Sequence, residues 1–119
     1  MYSSDELSTE LENKLNSTPI TPYSTPPTCI TGFTVTYDLP TMKYTIANSA
    51  KQFVFKWVET YDTLNSEAHT IFGFDKVNAV SSPLNIISDN TVSSEDYSKG
   101  YSSIINDYDG STKKVSLSK

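Results

Sequence analysis

Few residues of this chain have the types and spacing that chemistry requires. His69 is the only histidine and Cys29 the only cysteine. A zinc site needs companions that neither has. No cluster of His and Asn partners marks Cys29 as a nucleophile, so it reads as a small buried hydrophobe. His69 reads as an exposed polar residue of a short helix. Ser and Thr together exceed a quarter of the chain, yet no GxSxG elbow holds a serine for Ser-His-Asp work. Asp107, Asp109 and Gly110 resemble part of a calcium loop. Placing Gly110 at the sixth loop position puts Ile105 first and Ser116 twelfth, where ligating acids are required. A type I′ Asp-Gly hairpin turn accounts for the same residues better. The four glycines lie in no nucleotide-binding loop. The spacing of paired carboxylates for glycoside hydrolysis is set by a fold rather than by sequence. The expectation is a non-enzymatic protein: no catalytic residues, no cofactor and no metal.

Charge and composition narrow the class further. Fourteen acidic residues oppose nine basic ones for a net charge of −5, and all nine are Lys. Without the guanidinium forks that grip phosphate and base edges, nucleic acid is not an expected partner. No apolar run is long enough to span a bilayer, so no membrane insertion is expected. Met1 is not followed by a basic and apolar leader, which predicts a mature soluble chain or a segment of a longer one. A single Cys excludes an internal disulfide. The 119 residues suit one domain with a core that needs no staples. Modest apolar content beside so much Ser and Thr favours β-structure with one wet face.

Periodicity supplies the elements. In YSSDELSTELENKLNS, Leu7, Leu11 and Leu15 recur every four residues and form one narrow helical stripe. Ser3 and Glu6 fit a capping box, and Glu10 with Lys14 an i,i+4 pair. FTVTYDLPTMKYTIAN predicts a hairpin. Phe33, Val35 and Tyr37 point one way, a corner follows at 38–41, and Met42, Tyr44 and Ile46 resume the alternation. Phe53, Phe55 and Trp57 face one side of a more central strand. Leu64, Ala68, Ile71 and Phe72 share a face of a short helix that Gly73 ends in the left-handed conformation, with Phe74 packing back. A strand is expected around Leu84–Ile87 and a last hairpin over 104–117. The fold class is therefore α+β. An antiparallel sheet of about four to six strands carries the N-terminal helix on one face, with a second short helix.

Two polar segments interrupt this single domain over 1–119. Residues 17–28 form a Pro/Thr-rich connector with Pro19, Pro22, Pro26 and Pro27, extended and polyproline-like. Residues 88–103 read as a mobile serine-rich loop. Tyr23, Pro26, Pro27, Tyr97, Tyr101 and Tyr108 are the candidate partner contacts, because tyrosine offers rigid area at low entropy cost. Asn16-Ser17-Thr18 matches a glycosylation sequon, which would matter on a secretory route.

The order of these parts resembles a module in structural proteins of virophages, polinton-like viruses and giant viruses. In that module a Y-[ST]-x-x-E-L helix precedes a hairpin with a YD corner, a helix ending in LGF, and a strand with an S-D or T-D pair. The matching positions are Tyr2, Glu6, Leu7, Tyr37, Asp38, Phe72, Gly73, Phe74, Ser88 and Asp89. The resemblance implies a virion component: a minor capsid, vertex or spike-associated protein whose partners are other virion proteins or further copies of itself. It carries no catalytic residue. The alternative is a carbohydrate- or receptor-binding module of a viral fibre or tail; a third reading is an accessory domain of a secreted cellular protein.

Overall fold

The computed structural model describes residues 3–18, 31–57, 68–75, 77–92, 102–108 and 111–117. Nine elements follow in chain order: α1 (Ser4–Ser17), β1 (Phe33–Asp38), β2 (Lys43–Asn48), β3 (Phe53–Phe55), α2 (Ala68–Ile71), β4 (Ala79–Val80), β5 (Asn85–Ile87), β6 (Ser102–Tyr108) and β7 (Ser111–Leu117). The fold is α+β. Its strands divide between two antiparallel sheets, ordered β1-β2-β5 and β4-β3-β6-β7, where the patterning predicts one sheet.

Asn48 stands where the chain leaves the first sheet. It is buried at the end of β2, where its Oδ1 accepts the Ala50 and Lys51 amides at 3.0 and 3.1 Å. Its Nδ2 donates to the Thr31 carbonyl at 3.3 Å. A side chain that captures the amides just ahead of it turns the chain out of its ladder. Both edges of β2 are taken by β1 and β5, and β3 starts the second sheet. There β3 lies between β4 and β6, the more central place expected of it.

α1 is built as its sequence dictates. Ser3 and Glu6 form the reciprocal capping box, and Lys14 lies 4.0 Å from Glu10 on the solvent side. That exposed pair is worth a few tenths of a kcal/mol. Leu7, Leu11 and Leu15 enter the core. α1 touches β1 and β7, the outer strand of each sheet. The same core takes Phe33, Val35, Tyr44, Ile46 and Ile86 from one sheet and Phe53, Phe55 and Val115 from the other.

Rings connect the layers. Phe33 meets Phe53 edge-on at 5.3 Å; Phe53 meets Phe55, and Phe55 stacks on Trp57. Trp57 stacks in turn on Phe72 and Phe74. Phe72 meets Tyr44 at 5.3 Å, and Tyr44 meets Tyr37 at 5.1 Å. The path thus leaves β1 at Phe33 and returns to it at Tyr37. Met42 departs from the predicted alternation: its φ of 56° makes it the exposed last residue of the turn, with its amide donating to the Asp38 carbonyl at 2.7 Å.

Leu11 is wholly enclosed, at 0 % exposure, so Leu11→Ala should destabilise the protein by about 2–4 kcal/mol. A thermal melt should show Tm falling by roughly 10 °C, while Thr9→Ala on the solvent side stays within about 0.5 kcal/mol of the parent.

Candidate functional site

Most residues singled out from the sequence as contacts fall outside the described residues: Tyr23, Pro26, Pro27, Tyr97 and Tyr101. So do Cys29, Asp109, Gly110, Leu64 and the start of the short helix. Tyr108 ends β6, where its position is paired on both sides, opposite Phe53 of β3 and Ser111 of β7. It belongs to the sheet and not to a polar segment. His69 corrects its expectation. It is half-buried, and its Nδ1 is enclosed without a hydrogen-bond partner among the described residues, as is the indole nitrogen of Trp57. One turn of helix is too short to hold a whole face in solvent, and the residues that follow it, Phe72 and Phe74, are core. Among the described residues no group of three His, Cys, Asp or Glu is placed to hold a metal ion.

The motif residues come together instead as a clasp. Gly73, at φ +78°, closes α2 with Gly73 N–H donating to Thr70 O at 3.2 Å and Phe74 N–H to His69 O at 2.8 Å. This is the Schellman pattern, which satisfies carbonyls that a helix end leaves open. The Gly73 carbonyl then accepts from both the backbone and the side-chain nitrogen of Asn90, at 2.8 and 3.2 Å. Asp89 Oδ2 accepts the Asp75 amide at 2.9 Å, and Asn90 Nδ2 also donates to Asp75 Oδ1 at 3.0 Å. Ser88 is buried; its Oγ accepts the Tyr44 amide at 3.1 Å and donates to Asn90 O at 3.1 Å.

Beyond β5 the chain continues along β2. Ser88 N–H donates to Tyr44 O at 2.9 Å and Val92 N–H to Met42 O at 2.7 Å, while the Tyr37 hydroxyl donates to Val92 O. The expected mobile loop over 88–103 is therefore corrected at both ends. Ser88 and Val92 are bonded to the β1–β2 hairpin at Tyr44 and Met42, and Ser102 and Ser103 belong to β6. In the same way Ser17 of the expected 17–28 connector is helical. Serine, Asn and Asp can replace backbone partners with side-chain ones, so polar composition alone does not make a loop. Tyr44 lies at the centre of this region, its hydroxyl donating to Ser4 O at 3.3 Å. Burial pushes that hydroxyl above its ordinary pKa. The neutral form is favoured in the fold, so stability falls as pH rises from tyrosine's ordinary value of 10.0 through the raised one.

The outer edge of β1 is occupied by side chains from α1. Asn16 Oδ1 accepts the Phe33 amide and Asn16 Nδ2 donates to the Phe33 carbonyl, both at 3.0 Å. Glu12 Oε1 accepts the Val35 amide at 2.9 Å. One amide side chain thus supplies the donor and acceptor that a neighbouring strand residue would supply. A glycan on Asn16 Nδ2 would stand between helix and strand, so the folded chain does not present this sequon as an acceptor.

The opposite side is open. A groove of about 360 Å³ runs between β4 and β5, the other outer strands of the two sheets. Phe74 and Ile86 are buried at its base. Val77, Val80 and Ile87 line it at 58, 62 and 56 % exposure, and Asp89 is its charged residue. The sequence reading identified none of Val77, Val80 or Asn16 as a contact or edge residue. β4 is two residues long, too short for alternation to show, and Asn16 carried the more familiar sequon pattern. Glu12 and Asn16, one turn apart beside the Leu stripe, were the signal available.

No family model, curated protein or solved structure matches this chain. No helix among the described residues is long and apolar enough to cross a membrane.

Two substitutions test the clasp and the covered edge. A Cβ on Gly73 would lie 2.6 Å from the Asn90 carbonyl oxygen in a backbone conformation that side chains rarely adopt. Gly73→Ala should cost at least about 2 kcal/mol in urea unfolding. Asn16→Ala removes both bonds to Phe33 and should cost about 1–3 kcal/mol, with self-association through β1 detectable by light scattering. Asn13→Ala, exposed on the same helix, should do neither.

Proposed function

We propose that this chain is a non-enzymatic virion structural protein that makes protein–protein contacts in a capsid, vertex or spike. The observation that carries the contact role is the groove between β4 and β5. Large apolar side chains stand exposed there beside two outer strands, and exposed apolar patches mark interaction sites. The virion setting rests on the resemblance of the helix, YD corner, FGF and SD residues to viral structural modules. Of those residues, Gly73, Phe74, Ser88 and Asp89 take part in one clasp. For the glycan-binding alternative, the described aromatics Phe33, Tyr44, Phe53, Phe55, Trp57, Phe72 and Phe74 are buried, and Tyr23, Tyr97 and Tyr101 lie outside the described residues.

Quantitative mass spectrometry of particles purified from cultures expressing the gene should find the chain in fixed stoichiometry to the major capsid protein. Its absence from washed particles overturns the virion setting, and specific binding on a glycan array would favour the fibre alternative.

A further inference from the structure

We propose that the open side between β4 and β5 is a strand-acceptor site. Its occupant is an extended segment of another protein, apolar at alternate positions and carrying Lys or Arg at one end. The inference rests on the contact role proposed above and names the partner's chemistry.

The backbone sets the first condition. Asn48 N–H donates to Leu84 O and Ser88 N–H to Tyr44 O, both at 2.9 Å, so alternate residues 84, 86 and 88 face β2. The amide and carbonyl of Ile87 therefore face away from it. In β4, Ser81 N–H donates to Phe53 O at 2.9 Å, and Ala79 lies opposite Phe55. The amide and carbonyl of Val80 face away likewise. Among the described residues these outward groups have no partner, whereas the Asn85 carbonyl is taken by Ser82 N–H at 2.9 Å.

The second condition is the contrast between edges. Exposed strand edges invite pairing, and proteins cover them with helices, charges or proline. Here β1 is covered in detail by Glu12 and Asn16. β4 and β5 carry valine and isoleucine at the corresponding places. A strand added beside either edge would put its alternate side chains against Val77, Val80 and Ile87, as strand-addition sites do.

Charge selects the occupant. Asp89 lines the groove, and Asp75 is held beside it through the Asp89 carboxylate and Asn90. Lys76, adjacent in sequence, lies outside the described residues. The chain as a whole carries −5, which opposes a second copy as partner and favours a basic one.

The test uses the full chain, labelled for NMR, and a capped Lys-Val-Thr-Val-Thr-Val peptide. Shift changes should be confined to residues 77–80 and 85–89, with amide exchange slowed at Val80 and Ile87. A peptide with Glu in place of Lys should bind about two- to fivefold more weakly. Val80→Asp with Ile87→Asp should abolish binding while leaving the melt unchanged. No shifts up to about 1 mM peptide, or shifts elsewhere on the surface, overturn the proposal. Concentration-dependent shifts at these residues without peptide would make the occupant a second copy and overturn the choice of partner. Particles that contain a chain unable to bind peptide would leave the virion reading standing and end this one. Peptide binding by a chain absent from particles would do the reverse.

Discussion

The fold depends on the packing of aromatic rings between its two sheets. Each sheet is small: strands β4, β3 and β5 have two or three residues, and ladders this short are marginal alone. What joins them is the ring path from Phe33 through Phe53, Phe55, Trp57, Phe72 and Tyr44 to Tyr37. Each such pair contributes about 0.5–1.5 kcal/mol beyond the area it buries. Because the path begins and ends on β1, the layers are tied at two places.

A pair of packed sheets has four outer strands, and the molecule treats them unequally. α1 touches β1 and β7, and on β1 it covers the backbone with its own side chains. The groove lies between β4 and β5. The Leu stripe that seats the helix therefore also decides which side of the protein is closed. Helix docking and the position of the open groove have one cause.

The clasp changes the meaning of the short motifs. Gly73 is needed for its positive φ and for the approach of Asn90. Ser88 and Asp89 are needed as acceptors for amides of Tyr44 and Asp75.

The division between sequence and tertiary structure follows the range of each interaction. Local terms were legible: the capping box at Ser3 and Glu6, the Leu7, Leu11 and Leu15 stripe, the β1–β2 alternation, the left-handed Gly73 and the two-residue spacing between β6 and β7. All are set by neighbours within about four residues, where periodicity and capping act. Long-range terms were not. Asn48 Nδ2 reaching Thr31, Asn16 standing in for a strand, and Ser88 and Val92 bonding to Tyr44 and Tyr37 each depend on partners 17 to 55 residues away. A polar side chain reads the same in sequence whether it meets water or a distant amide. The groove was the least legible of all, because it consists of space left between two sheet edges, and that space exists only once the rings have set the layers together.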